Sequence, residues 1–134
     1  MSLKIKVTKL KNQSVRNKYY GKVVARDEVH TKDIARRICA DTTLTEADVY
    51  AAIQALVTEM KHQLQSGNTV VLDDFGRFHL TVQSDTVDNP NDYSPSKHIR
   101  RVLCKFTPAA TRNQFTRRLE RPFTDGVEFS KVKD

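Results

Sequence analysis

Hydrophobic and polar positions change their period several times along the chain, and each change predicts an element. Residues 4–10, Lys-Ile-Lys-Val-Thr-Lys-Leu, alternate strictly, which predicts a half-buried strand. After a polar turn region from Asn12 to Lys18, residues 19–25 predict the returning strand of a hairpin. Thr31 is placed to cap a short helix over residues 32–40, whose Ile34, Ala35, Ile38 and Cys39 share one side. Thr45, with Asp48 three residues on and Leu44 and Val49 flanking, marks the next helix start. From there Val49, Ile53, Leu56, Val57, Met60 and Leu64 form one apolar stripe, which Gly67 closes as C′. Beyond Gly67 the period becomes two. Strands are predicted at Val70–Leu72, Phe75–Val82 and Arg100–Phe106, with the polar stretch 83–96 between the last two. Gly76, between Phe75 and Phe78, marks a bulge or a close backbone approach. Thr107-Pro108 predicts a helix over 108–119 with Phe115 and Leu119 on one side, followed by a loose tail.

Composition narrows this picture. A chain of 134 residues suits one domain of ordinary size, and 38% hydrophobic content without Trp makes its core lean. A lean core in a short chain points to burial against a second subunit, and the long α-helical stripe is the surface available for it. The formal charge of +7 is unevenly placed. Residues 1–26 carry eight basic residues and no acid, and residues 93–119 carry seven basic residues and no acid. Between them, residues 27–92 hold five basic residues against twelve acidic. Two acid-free basic blocks suit a polyanion, nucleic acid before membrane.

Other classes lose ground. The apolar runs are too short for a transmembrane helix, and the N-terminal Met-Ser-Leu-Lys-Ile-Lys cannot be a signal-peptide core. Cys39 and Cys104 lie far apart without CxxC spacing, so two buried, inert thiols in a reducing cytoplasm are expected. His30, His62, His79 and His98 lack ligand spacing, and the glycines at 21, 67, 76 and 126 form no phosphate loop. No catalytic residue, metal, cofactor or small-molecule substrate is expected.

Several motifs carry a family resemblance. Asp74-Phe75-Gly76-Arg77-Phe78 is similar to the Gly-Phe-Gly-x-Phe of the HU/IHF family of bacterial DNA-bending proteins. Gly67-Asn68-Thr69-Val70-Val71-Leu72 resembles its Gly-x-x-Val-x-Leu. Arg100-Arg101-Val102 and Phe106-Thr107-Pro108 resemble its returning strand, which enters a last helix through Phe-x-Pro. The likeness covers residues 31–119, and the N-terminal hairpin resembles the extension of HU-related proteins of Bacteroidetes. It implies an α+β fold: two N-terminal helices, an antiparallel β saddle with a projecting arm, and a short C-terminal helix, in an intertwined homodimer. The domain division is then a basic hairpin extension at 1–30 packing on the core, an HU/IHF-like domain at 31–120, and a tail at 121–134. The implied function is a histone-like, nucleoid-associated, cytoplasmic protein that binds and bends double-stranded DNA through the minor groove with little sequence specificity.

The departures matter as much. The family's arm is basic and tipped by Arg-Asn-Pro-x-x-Gly, whereas here Asn89 and Pro90 match but Asp85, Asp88 and Asp92 accompany them. Carboxylates repel phosphate, so a shortened arm with another role is favoured over intercalation by Pro90. The DNA-contacting residues expected are Arg77, Lys97, Arg100, Arg101, Lys105, Arg112, Arg117 and Arg118, joined by Lys4, Lys6 and Lys9, with Asn89 and Pro90 added only under the less favoured reading of an intercalating tip. The basic N-terminal hairpin is expected to cover part of the outer face of the Arg100–Phe106 strand. The alternative is a non-catalytic interaction module that keeps the fold and dimer but uses the arm and hairpin to hold protein partners.

Overall fold

In the computed structural model, which describes residues 2–11 and 17–133, the chain divides into two compact units. One spans residues 31–123; the other is built from both chain ends, 1–30 with 124–134. Most of the polar turn expected at 12–18, namely residues 12–16, lies outside the described residues.

The unit 31–123 starts with helix α1, Thr31–Asp41, packed on helix α2, Glu46–Gln65. The start of α2 follows from its cap. The Thr45 hydroxyl accepts the Asp48 backbone N–H at 3.1 Å, satisfying one of the helix's orphan donors. Its end follows from Gly67, which takes φ 92° while its N–H bonds to Leu64 O at 3.0 Å and Asn68 N–H to Gln63 O at 3.0 Å. That left-handed position favours glycine.

Strands β3, Val70–Leu72, β4, Gly76–Ser84, and β5, Ile99–Pro108, form an antiparallel sheet in the order β3-β4-β5. The β4–β5 register runs from Gly76 opposite Pro108 to Gln83 opposite Arg101, with a bulge between Gln83 and Ser84. Gly76 is a close backbone approach, as its sequence context suggested. A Cβ there would lie 2.5 Å from Thr107 O and 2.5 Å from the Phe106 ring, at φ 154°. Gly76→Ala is therefore expected to lower the urea midpoint by the equivalent of about 1–3 kcal/mol, the cost of comparable local strain. Beside it, the Phe75, Phe78, Phe106 and Phe123 rings cluster, with Phe78 and Phe106 stacked at 4.7 Å.

Among the described residues, Ala35 and Val49 are the only buried hydrophobic side chains. The lean core anticipated from composition is leaner still. An open apolar groove of about 360 Å³ runs between α2 and the sheet, lined by Val57, Met60, Leu64, Phe78, Leu80 and Cys104 among others. The two thiols are consequently less covered than expected. Cys39 is half-buried and Cys104 is exposed on the groove wall.

The predicted C-terminal helix over 108–119 is absent. Pro108 ends β5, and the short strands β6, Thr111–Arg112, and β7, Leu119–Glu120, pair in a hairpin instead. Asn113 decides this. Its Oδ1 accepts the N–H groups of Phe115 at 2.8 Å and Thr116 at 3.1 Å, an Asx turn that competes with helical bonding. Arg117 then takes φ 58°, and Asn113 N–H bonds to Arg118 O at 2.9 Å. Phe115, expected on one side of that helix with Leu119, is 96% exposed.

The second unit is a three-stranded sheet in the order β2-β1-β8. Strand β1, Leu3–Lys9, pairs antiparallel with β2, Tyr19–Val23. Where a loose tail was expected, β8, Phe129–Lys131, pairs parallel with β1. Leu3 N–H to Glu128 O at 2.8 Å and Val132 N–H to Ile5 O at 2.9 Å extend that ladder, and the Ser2 and Ser130 hydroxyls meet at 2.9 Å.

Candidate nucleic-acid interface

Strand alternation sorts the β4–β5 ribbon into two faces. Phe78, Leu80, Cys104 and Phe106 lie on one, which includes the wall of the apolar groove. The other carries Arg77 opposite Thr107, His79 opposite Lys105, Thr81 opposite Leu103, and Gln83 opposite Arg101. Cross-strand neighbours stand ~5 Å apart and each two-residue step adds ~7 Å, so this polar strip is ~20 Å long. Arg77, Arg101 and Lys105 are exposed along it, and no carboxylate pairs with them among the described residues. Arg101 Nε donates to Gln83 Oε1 at 2.7 Å, which holds its guanidinium on the ribbon while leaving other donors free.

Arg100 behaves differently from its neighbour. The bulge after Gln83 takes it out of the regular register, and its Nε donates to Asp85 Oδ1 at 2.5 Å. The two residues treated alike in the sequence thus separate: Arg101 offers charge, whereas Arg100 is spent on the base of the tip. Asp85, whose signal in sequence was only its acidity, is that partner.

The tip is a folded knob. Pro90 opens a 3-10 turn, Pro90–Asp92, capped by Asn89, whose Oδ1 accepts Asn91 N–H at 3.0 Å. One-turn helix α3, Pro95–His98, follows and carries the exposed Lys97. The Tyr93 and His98 rings stack at 5.2 Å, the Tyr93 and Ser84 hydroxyls meet at 2.6 Å, and Asp85 N–H bonds to His98 O at 2.8 Å. Asn89 and Pro90, matched in sequence to an intercalating tip, here cap and start a turn, while Asp88 and Asp92 stay exposed.

The remaining expected contacts lie on other elements. Arg112, Arg117 and Arg118 gather on the β6–β7 hairpin, where Arg112 Nη1 donates to Arg117 O at 3.3 Å. Lys4, Lys6 and Lys9 belong to the other unit. Sequence reading missed His79, Thr81 and Gln83 as members of the strip, although the period of two from Arg77 places them on its face. Among the described residues no helix is long and apolar enough to cross a membrane.

Comparison with known proteins places this geometry. No curated protein matches the sequence. A crystal structure described as "Putative bacterial DNA binding protein from Bacteroides vulgatus ATCC 8482" shares the fold, with a TM-score of 0.59 at 13% identity. The match covers 79% of this chain but only 41% of that one. The family profile described as HU-HIG, an HU domain fused to wHTH, Ig or a glycine-rich motif, matches residues 1–121. With the helix pair leading into the three-stranded sheet and its β4–β5 ribbon, that match over most of the chain means that the protein belongs to the HU-HIG family.

Proposed function

We propose that this chain binds double-stranded DNA as a homodimer, with little sequence specificity, in an architectural, nucleoid-associated role in the cytoplasm. The observation that carries the reading is the exposed strip bearing Arg77, Lys105 and Arg101, without a carboxylate partner among the described residues. Such a strip neutralises phosphates, and phosphate contacts position a duplex without reading its bases. The name of the Bacteroides vulgatus structure, a DNA-binding protein, agrees with this. The homodimer rests on a separate observation. A groove lined by Val57, Met60, Leu64, Phe78 and Leu80 is an apolar surface that a monomer rarely leaves in water. A second copy presents the same stripe and covers it.

The folded tip supports binding without wedge insertion. Its Asn89 and Pro90 are engaged in a local turn, and Asp88 and Asp92 flank them with the wrong charge for phosphate. Pro90→Ala is expected to leave duplex affinity within twofold and any bend unchanged, measured by end-to-end fluorescence transfer on a labelled duplex. Disappearance of a bend in that variant would show that the tip does intercalate.

The same acidic knob favours a second reading, a non-catalytic interaction module that holds a protein partner. Mobility-shift titration on unrelated duplexes at 50 and 200 mM salt separates the two. Retardation that weakens steeply with salt supports DNA binding, whereas no retardation at either salt supports the module.

A further inference from the structure

The sheet built from the two chain ends is amphipathic across its thickness. Register places Leu3, Ile5, Val7 and Lys9 of β1 with Tyr19, Gly21 and Val23 of β2 and with Phe129 and Lys131 of β8 on one, mainly apolar, face. The opposite face carries Lys4, Lys6 and Thr8 of β1, Tyr20 and Lys22 of β2, and Ser130 of β8. Lys9, grouped with Lys4 and Lys6 in the sequence, thus falls on the apolar side. Lys22 takes its place.

Three observations make the second face more than a solvated surface. Lys6 and Lys22 are directly opposed across the ladder, a like-charge pair that destabilises a sheet when nothing offsets it. Lys4, Lys6 and Lys22 are exposed, and no ion pair reaches them among the described residues. Lysines on edge strands commonly guard against aggregation, but Lys4 and Lys6 lie on β1, the central strand of this sheet. Their charge therefore serves something other than edge protection.

We propose that the Lys4/Lys6/Lys22 face is a second phosphate-binding surface that engages the backbone of duplex DNA. The proposal rests on the DNA-binding reading and adds to it a surface on the other unit of the chain. Strand geometry sets the ammonium-bearing positions ~5 Å apart across strands and ~7 Å along β1. A compact lattice of that kind suits the regularly repeated charges of a nucleic-acid strand. Tyr20, exposed on the same face, adds a hydroxyl donor. An anionic membrane fits less well. Lipid binding needs cationic and apolar groups turned to the same side, whereas Lys4, Lys6 and Lys22 share their face with Thr8, Tyr20 and Ser130.

The test is the triple variant Lys4→Gln/Lys6→Gln/Lys22→Gln in the full chain, titrated on a random-sequence duplex from 50 to 200 mM salt, with thermal melting alongside. The log–log salt slope is expected to flatten by about 0.9 for each phosphate that is no longer neutralised. Melting should stay level or rise, because the Lys6–Lys22 repulsion is gone. Flotation with phosphatidylserine vesicles forms the second arm. A parent that binds duplex and a variant with the same slope would overturn this surface and leave the proposed function standing. So would vesicle binding that the variant loses while its duplex slope holds. A parent that binds no duplex at 50 mM salt would overturn both.

Discussion

Val57→Asp in helix α2 is expected to abolish the folded protein as a dimer, not to release a folded monomer. Val57 is 61% exposed in the single chain and forms part of the apolar groove. If the chain worked alone, a carboxylate there would remain hydrated and cost little. Under a second copy it would be buried without a partner, at a cost of about 3–5 kcal/mol. Leu56, at 41% exposed, lies beside it, and Leu56→Asp should behave alike. Neither penalty is easily absorbed, because Ala35 and Val49 are the only hydrophobic side chains buried by the chain itself among the described residues. Sedimentation with circular dichroism reads both quantities together. A stable, folded monomer from either variant would sink the homodimer, whereas joint disappearance of dimer and helical signal is the expected result.

How much of this was legible in the sequence depended on whether the deciding interaction was local. Thr45 and Gly67 bounded α2 because a cap and a left-handed glycine act within a few residues of themselves. The strip Arg77–Gln83 was implicit in a period of two. The C-terminal helix failed on competing local signals: Thr107-Pro108 resembles a helix start, yet one apolar pair, Phe115 and Leu119, could not outweigh the Asx turn at Asn113. The family's Phe-x-Pro pattern survives as Phe106-Thr107-Pro108, but here it finishes a strand. Strand β8 left no local trace, since its partner β1 lies at the far end of the chain and pairs through backbone groups that composition does not report. Arg100 and Arg101 looked equivalent because a bulge in the ladder is a matter of pairing, invisible in a run of basic residues.

That last distinction sets the sharpest expectation for DNA binding. Arg77→Ala/Arg101→Ala/Lys105→Ala removes the strip's three cations, none paired with a carboxylate among the described residues. In the proposed homodimer that is six charges, and if each neutralises a phosphate the salt slope should flatten by about 5 in all. Affinity at 50 mM salt should fall by orders of magnitude and by similar factors on unrelated duplexes, because phosphate contacts carry no base information. Arg100→Ala provides the contrast. Its guanidinium is held by Asp85 at 2.5 Å, so its charge is already offset and the slope should change by much less than one neutralised phosphate would give. What it removes is the pair at the base of the knob, where Asp85 N–H also holds His98 O. Proteolysis within residues 85–98 should therefore quicken in Arg100→Ala while duplex affinity stays close to the parent's. An Arg100→Ala slope change as large as that of Arg101→Ala would place the duplex across the tip as well as the strip. A triple variant that binds like the parent at every salt would take DNA off this face.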